Sequence, residues 1–534
     1  MRLRVGLVGL LVALAALAAY APVLSNKFVN HDERWIFGGG AIREGRISQM
    51  LVPQPDLAGY MPVGYLILTG VFHAGGARLF PFHLVSLLLH AANAALLFFL
   101  ILLLMRRAGG ESASLEPGRL FCAGLSAVIF AVHPIHAEGI AVASSLGDLA
   151  ASFFALASLL CYVRAATDGV AAANKRLSAA SIVFAALSGL SRWTAAGRPA
   201  ILLILDAYPL KRFGRRALLE KIPYFAISLL VVAANTYAKL GLTSSEGVYR
   251  LAVQPGGMSA GVVFYIWKWL VPGEYSLYYV LDRPAELMGL PPSGCAVLLF
   301  AAVAALVWAR RRAPAALAAF GVHLVAVLPV LVTTVNGWVQ AHNRYAYLSG
   351  MALSAAAAGG LLEAWKRRSL LSLVVLAVVI TAGVGFGSQS RGMASEWHDK
   401  SRLSSSTLST DPDAFFSYNR LGEAMLRRGD YKTAVMQFRE QLYSHPDDAH
   451  ARRRLAEFVP FVLAADLNDE GVALVRAQAA AAAVARFERA IAVRPDFIVP
   501  YKNLAAVLPG LNRHAEARAY RERAVRLEAR SSRR

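Results

Sequence analysis

Four short groups of residues carry side chains whose types and spacing suit chemistry on a polar substrate. The first is Asp32–Glu33, inside Phe28–Val29–Asn30–His31–Asp32–Glu33. Adjacent carboxylates in a partly desolvated place cannot both ionise comfortably, so one can be held as a general base or share a proton with its neighbour. The same dipeptide also reads as an ordinary hydrated loop pair. The second is His133–Pro134–Ile135–His136–Ala137–Glu138, followed ten residues later by Asp148. Two imidazoles and two carboxylates can ligate a divalent metal, or hold a phosphate through protonated histidine. HxxH spacing is not specific for zinc, however, and Pro134 breaking a helix into a capped turn explains the same residues. The third is Ser191–Arg192–Trp193–Thr194 with Arg198–Pro199, and the fourth is His342–Asn343–Arg344–Tyr345. These arginines read equally as phosphate ligands or as interfacial anchors. His83, His90 and Asn93 share one helical face and read as hydrogen-bonding glue between helices rather than as ligands.

The elements that must position these groups are membrane helices. Of 534 residues, 57% are hydrophobic and 17% charged, and the mean hydropathy is +0.47. So much apolar surface has no use in a soluble protein of this size. Apolar runs predict about eleven spans, at 5–24, 81–105, 118–134, 137–163, 178–192, 197–210, 222–240, 292–308, 314–334, 344–364 and 369–388. Residues 257–272 read as a further re-entrant or interfacial segment. The first run follows Arg2 and Arg4 and lacks a convincing small-residue cleavage site, so it reads as an uncleaved helix rather than a signal peptide. Five basic clusters, Arg106–Arg107, Lys175–Arg176, Lys211–Arg212 with Arg215–Arg216, Arg310–Arg312 and Lys366–Arg368, all fall on one side. The positive-inside rule makes that side cytoplasmic, the N-terminus included. The larger loops and everything after residue 388 then lie outside. The net charge of +21 is therefore mostly a topology signal. A basic tail leaves binding to an anionic lipid surface open, and no aromatic-and-basic nucleic-acid motif is visible. Cys122, Cys161 and Cys295 sit in apolar runs without partners at disulfide or metal-ligand spacing.

The C-terminal stretch has a different periodicity. Pro412 and Pro446 are 34 residues apart, the tetratricopeptide period. Tyr418, Leu421, Gly422, Gly429, Tyr431, Ala434 and Phe438 occupy the positions that pattern prefers. A second unit, ending at Pro495, carries Gly471, Ala483, Phe487 and Ala490, and a third carries Tyr501, Leu504, Ala505, Ala517 and Ala524. Residues 449–463 read as an extra helix that breaks the register. The competing reading is a solvated Ala/Arg-rich helical bundle without a repeat. Stacked repeats of this kind offer a concave face to a partner peptide.

In order along the chain, these groups resemble one family. The segments are 28–33 with Tyr60–Met61–Pro62–Val63; Pro81–Phe82–His83–Leu84–Val85 with His90 and Asn93; His133 to Glu138 through Asp148; and Leu187–Ser188 to Pro199. Leu205–Asp206 with Tyr208–Pro209–Leu210, Glu220–Lys221–Ile222–Pro223, Arg344–Tyr345–Ala346–Tyr347–Leu348 and the terminal repeats complete the series. Together they are similar to the transmembrane-and-tetratricopeptide-repeat O-mannosyltransferases and their bacterial relatives, in the GT-C group of glycosyltransferases.

The resemblance implies an all-α fold: a polytopic GT-C-like membrane domain over 1–388, a linker over 389–411 and a tetratricopeptide α-solenoid over 412–531. It implies transfer of a monosaccharide, mannose or similar, from a polyprenyl-phosphate donor to a protein hydroxyl, with inversion, on the periplasmic face of a bacterial inner membrane. Asp32 would take the acceptor proton, helped by Glu33. His133, His136, Glu138, Asp148, Tyr60 and Tyr345 would shape the donor site, and Arg192, Arg198 or Arg344 would neutralise the phosphate. The expected partners are the lipid-linked donor, the membrane and an acceptor protein gripped by the repeats, with no nucleic acid. A divalent metal is possible in such a site but is not expected, since arginines can serve the leaving phosphate. The chain departs from the family's pattern at Met61 and Leu146, where it carries arginine, and at Asn343, where it carries aspartate. Those departures keep a second reading open, a catalytically degenerate relative acting as a membrane-anchored assembly scaffold. A lipid transporter would need inverted repeats and midplane charges, and neither is visible.

Overall fold

The computed structural model describes the chain except residues 1, 28–31, 33–35, 37–40, 54–58, 110–115, 168–170, 240–242, 245–246, 252–254, 274–278, 281–287, 332, 336–337, 399–416, 428, 445–447 and 532–534. Glu33, Pro412, Pro446 and most of the expected linker lie outside the described residues. The chain divides into two units, Met1–Ser406 and Thr407–Arg534.

The first unit is built from α1 (Arg2–Tyr20), α2 (Pro62–Gly75), α3 (Leu79–Gly109), α4 (Glu116–Ala131), α5 (Leu146–Ala165), α6 (Ala171–Ser191), α7 (Arg198–Ala207), α8 (Ile222–Lys239), α9 (Pro255–Leu270), α10 (Pro292–Trp308), α11 (Pro314–Leu331), α12 (Ala346–Arg367) and α13 (Leu370–Glu396). Each expected span falls on one of these helices. Among the described residues, eight are long and apolar enough to cross a membrane, and nine if a pair bent by 46°, Glu116–Ala131 with Pro134–Ala141, is one span. Of the expected eleven, 178–192 and 197–210 fall short. The first belongs to a helix whose first two turns carry Asn174, Lys175 and Arg176, and the second is a ten-residue helix. By its apolar helices this is a multi-pass membrane protein.

α3 is the axis of the bundle. Its buried face carries His83, Ser86, His90 and Asn93 at helical spacing, continuing into Leu97, Phe98 and Ile101. The bend after α4 has a local cause, because Pro134 lacks an N–H and forces His133 into extended backbone, φ −75° and ψ 126°. Breaking a helix in hydrocarbon strands its last carbonyls, which must be satisfied from elsewhere. Three neighbouring helices do this. His90 Nε2 donates to Ala131 O at 2.9 Å, Ser390 Oγ donates to Val132 O at 2.7 Å, and the Tyr20 hydroxyl donates to His133 O. His90 Nδ1 then accepts from the Tyr347 hydroxyl at 2.8 Å, and that oxygen accepts from Asn93 Nδ2 at 3.2 Å. His90 and Asn93 are thus interhelical glue, as their shared face predicts.

The helical fold carries one small addition that the sequence analysis did not anticipate. β1 (Thr243–Ser244), β2 (Gly247–Leu251), β3 (Tyr279–Val280), β4 (Thr333–Val335) and β5 (Trp338–Ala341) form an antiparallel sheet ordered β1-β2-β4-β5-β3. β2 pairs with β4 through Arg250 opposite Thr334, and β5 with β3 through Ala341 opposite Tyr279. Strands of two to five residues carry too little alternation to read from one sequence.

Among its described residues the second unit has six α-helices, α14 (Ser417–Arg427), α15 (Tyr431–Ser444), α16 (Ala449–Arg476), α17 (Ala480–Val493), α18 (Ile498–Val507) and α19 (His514–Ser531), each packed on the next. One packing device recurs. A Cβ on Gly422 would stand 2.7 Å from the Phe438 ring, and one on Gly471 would stand 2.5 Å from the Phe487 ring. The glycines let an aromatic ring lie directly on the facing helix. Residues 449–463 are not a separate helix but the first part of the 28-residue α16. Asp448 caps α16 by accepting from His450 N at 2.8 Å and Ala451 N at 3.0 Å. Its other oxygen accepts from Asn419 and Gln441 at 2.7 and 2.9 Å, tying α14 and α15 to the same cap.

Candidate functional site

The expected site residues come from the C-terminal ends of α1, α4 and α6 and the N-terminal ends of α5 and α12. The basic clusters lie at the opposite ends. Asp32 is fully buried, and its carboxylate accepts from the backbone N–H of Ser144 at 2.8 Å and of Ala143 at 3.3 Å. These are the exposed donors of the turn Ala143–Ser145 that leads into α5, a natural seat for an anion.

Glu138, also fully buried, is held from across the bundle. Arg344 Nη1 donates to Oε1 at 2.8 Å and the Arg344 amide donates to Oε2 at 3.2 Å, while His342 Nδ1 lies 3.5 Å from Oε1. Arg344 also lies over the Tyr345 ring, 5.3 Å from its centroid. Asp148, in the first turn of α5, pairs with Arg192 Nε at 3.0 Å. Arg192 Nη1 reaches the Met61 sulfur at 3.3 Å. The helix ends meet so closely here that a Cβ on Gly64 or on Gly147 would each stand 3.0 Å from Ser191 O. Tyr60 flanks this contact, its amide donating to Asn235 Oδ1 and its hydroxyl to Leu51 O, both at 3.2 Å. Met61 and Leu146 themselves sit in an apolar cluster with Ile36, Ile42, Met50, Tyr65 and Phe82.

Two expected ligands turn inward instead. His133 Nε2 donates to Trp269 O at 2.8 Å and Nδ1 accepts from Ile135 N at 3.2 Å, which fixes its tautomer and occupies both nitrogens. The HxxH pair therefore does not chelate, and among the described residues no three His, Cys, Asp or Glu side chains converge. Arg198 donates to Ala185 O at 2.7 Å and Ala195 O at 3.0 Å, closing the break between α6 and α7. His136, by contrast, is fully buried among Phe130, His90 and Tyr347, and neither ring nitrogen has a hydrogen-bond partner among the described residues. The same is true of Trp269 Nε1, whose ring stacks on His133 at 5.7 Å. Buried polar atoms left open in this way mark a place built for something polar.

Trp269 and His342 are site residues that the sequence analysis did not assign. A tryptophan ending an apolar segment reads as an interfacial anchor, and only its position against His133 shows otherwise. At the opposite end of the bundle, buried Asp206 binds Lys221 Nζ and Arg212 Nε at 2.6 and 2.8 Å and accepts from the Tyr162 hydroxyl at 2.6 Å. This accounts for the 205–221 motifs as a strut joining α5, α7 and α8.

Against known proteins the likeness is local. A stretch of 91 residues is 38% identical to protein O-mannosyl-transferase TMTC2 of Mus musculus. That stretch is 17% of this chain and spans 9% of the relative's length. No protein-family model matches the chain. Among solved structures, ArnT from Cupriavidus metallidurans bound to undecaprenyl phosphate overlays with a TM-score of 0.38 at 14% identity, covering 86% of this chain and 80% of that one. The apo form of the same protein gives a TM-score of 0.39 over 86% and 79% of the two chains. Overlaps this loose assign nothing to the present chain.

Proposed function

We propose that the protein is a GT-C-type membrane glycosyltransferase. It moves a monosaccharide, mannose or a similar sugar, from a polyprenyl-phosphate donor to a hydroxyl of an acceptor protein. The site would face the periplasm of a bacterial inner membrane, with the N-terminus cytoplasmic and the tetratricopeptide-like repeats recruiting the acceptor. One observation carries the reading. A buried carboxylate, Asp32, and two carboxylate–arginine pairs, Glu138–Arg344 and Asp148–Arg192, are built where the C-terminal ends of some helices meet the N-terminal ends of others. The local identity to a protein O-mannosyl-transferase supports it.

In this mechanism Asp32, held by two backbone donors, accepts the proton of the attacking hydroxyl. The hydroxyl oxygen bonds to the sugar's anomeric carbon from the face opposite the phosphate, and the carbon–oxygen bond to the phosphate breaks. Arg344 and Arg192 share their charge with the departing phosphate, each already oriented by its carboxylate. His136 and Trp269 offer open hydrogen-bonding atoms for sugar hydroxyls. Glu33 assists Asp32 in this scheme, and His133 and Arg198 act as structural supports.

The test is transfer of labelled mannose from polyprenyl-phosphate mannose into protein in membranes, comparing wild type with Asp32→Asn. Loss of a general base predicts a fall of about 100-fold or more with the protein still folded. Equal incorporation by Asp32→Asn would end the assignment of the base. A specific observation keeps the scaffold reading alive. Met61 and Leu146, where the family carries arginine, are packed into an apolar cluster. Absence of transfer with any donor, together with capture of a defined partner by the repeats, would favour the scaffold.

A further inference from the structure

A cavity of about 710 Å³ runs between α3, α5, α7, α11 and α12. Along α12 its wall extends from Leu348 to Arg367, almost the whole helix. About twenty residues at 1.5 Å each span about 30 Å, the thickness of a bilayer's hydrocarbon core. The groove exists because this face of α12 is small, with Ala352, Ala355, Gly359 and Gly360 opposite Leu97 and Ile101 of α3. Water gains nothing in such a space, whereas a hydrocarbon chain fills it.

The two ends differ in what they offer an anion. At the end near the candidate site the cation is Arg198, and two backbone carbonyls already hold its guanidinium. At the other end the groove opens between Arg312, Lys366 and Arg367. Lys366 and Arg367 share a single carboxylate, Glu363, at 3.4 Å each, and their side chains are 42% and 70% exposed. Arg312 rests on the Trp308 ring, 5.6 Å from its centroid. Three cations and one carboxylate leave the mouth with two net positive charges.

We infer that this groove is a binding site for one anionic glycerophospholipid from the leaflet bordering the basic loops. Its acyl chain lies along α12 and its phosphate rests between Arg312 and the Lys366–Arg367 pair. The chemistry is that of basic pockets between membrane helices that hold anionic headgroups. A polyprenyl phosphate inserted the other way, headgroup toward the candidate site, would find its cation already spent. The inference does not depend on sugar transfer.

The test uses the full chain, purified in mild detergent and stripped of lipid, then followed by thermal unfolding as phosphatidylglycerol or phosphatidylcholine is added in mixed micelles. Phosphatidylglycerol should raise the midpoint, since a ligand that binds only the folded state stabilises it, and phosphatidylcholine should not. Arg312→Gln/Lys366→Gln/Arg367→Gln should abolish the rise, and Arg215→Gln/Arg216→Gln, basic residues away from the groove, should leave it. Gly359→Leu fills the groove without touching the cations, and a Cβ there meets nothing within 4 Å. It should abolish the rise as well, which keeps the idea testable even if the triple variant fails to fold. A rise with both lipids, or a rise that survives Gly359→Leu, would each overturn the proposal.

Discussion

At the scale of single residues, the candidate site is an exercise in keeping charge inside a membrane protein. Glu138 is fully buried and the Arg344 side chain 15% exposed, and the carboxylate is tolerable there only because of the arginine. Glu138→Gln should therefore destabilise the protein by about 3 kcal/mol, the cost of an arginine left without its counter-charge. Glu138→Gln/Arg344→Gln should recover part of that loss. Thermal unfolding of the three variants forms a double-mutant cycle, and purely additive effects would show the pair to be uncoupled. Arg192 and Asp148 form a second pair in which the carboxylate is less buried, at side-chain exposures of 15% and 11%. The Met61 sulfur beside Arg192 offers only a weak acceptor.

At the scale of elements, broken helices decide where polar groups go. The bend at Pro134 releases three consecutive carbonyls, and α1, α3 and α13 each send one side chain to meet them. The repeat helices obey tighter steric rules. Gly471→Ala places a methyl group 2.5 Å from Phe487 and should destabilise the second unit by about 1–3 kcal/mol. Pairing it with Phe487→Leu should restore part of the loss in a denaturation series. Asp430, ahead of α15, accepts from Thr433 N at 3.1 Å. Hydrogen bonds from the Thr433 hydroxyl and amide hold its carboxyl below the usual value of 3.8. A carboxyl depressed by folding contributes stability above its unfolded value and loses it as pH falls through the folded value. Hydrogen exchange in the first turn of α15 should accordingly accelerate as pH drops below 3.8, after correction for intrinsic rates. In Asp430→Asn that acceleration should vanish, and if it persists, another group is responsible.

At the scale of the whole molecule, the separation of basic loops from candidate site is the organising feature. If the basic end is cytoplasmic, single cysteines placed near Arg311 and Lys366 should resist a membrane-impermeant thiol reagent in intact cells. A cysteine at exposed Tyr443 in the second unit should react under the same conditions, in a background lacking the three native cysteines. The reverse pattern would place both the repeats and the candidate site inside and would remove the periplasmic reading altogether.

Much of this was open to sequence reasoning because it is local. Apolar runs set helix positions, arginine clusters set helix ends, Pro134 set the bend, and Gly422, Phe438, Gly471 and Phe487 stood out as glycines and aromatics of helices that pack closely. Even the run from His133 to Asp148 stood out, since ionisable groups beside apolar spans are too costly to be idle. What no single sequence could supply is partnership across the fold. Glu138 and Arg344 are 206 residues apart, and nothing in either segment names the other. His133 and Arg198 looked like ligands by type, but helix breaks and backbone carbonyls beside them consumed their donors. Trp269 gained its place only by stacking on His133. The long groove beside α12 is likewise visible only as the space between five helices. Residue type states what a side chain can do, and tertiary contacts decide which of its atoms remain free to do it.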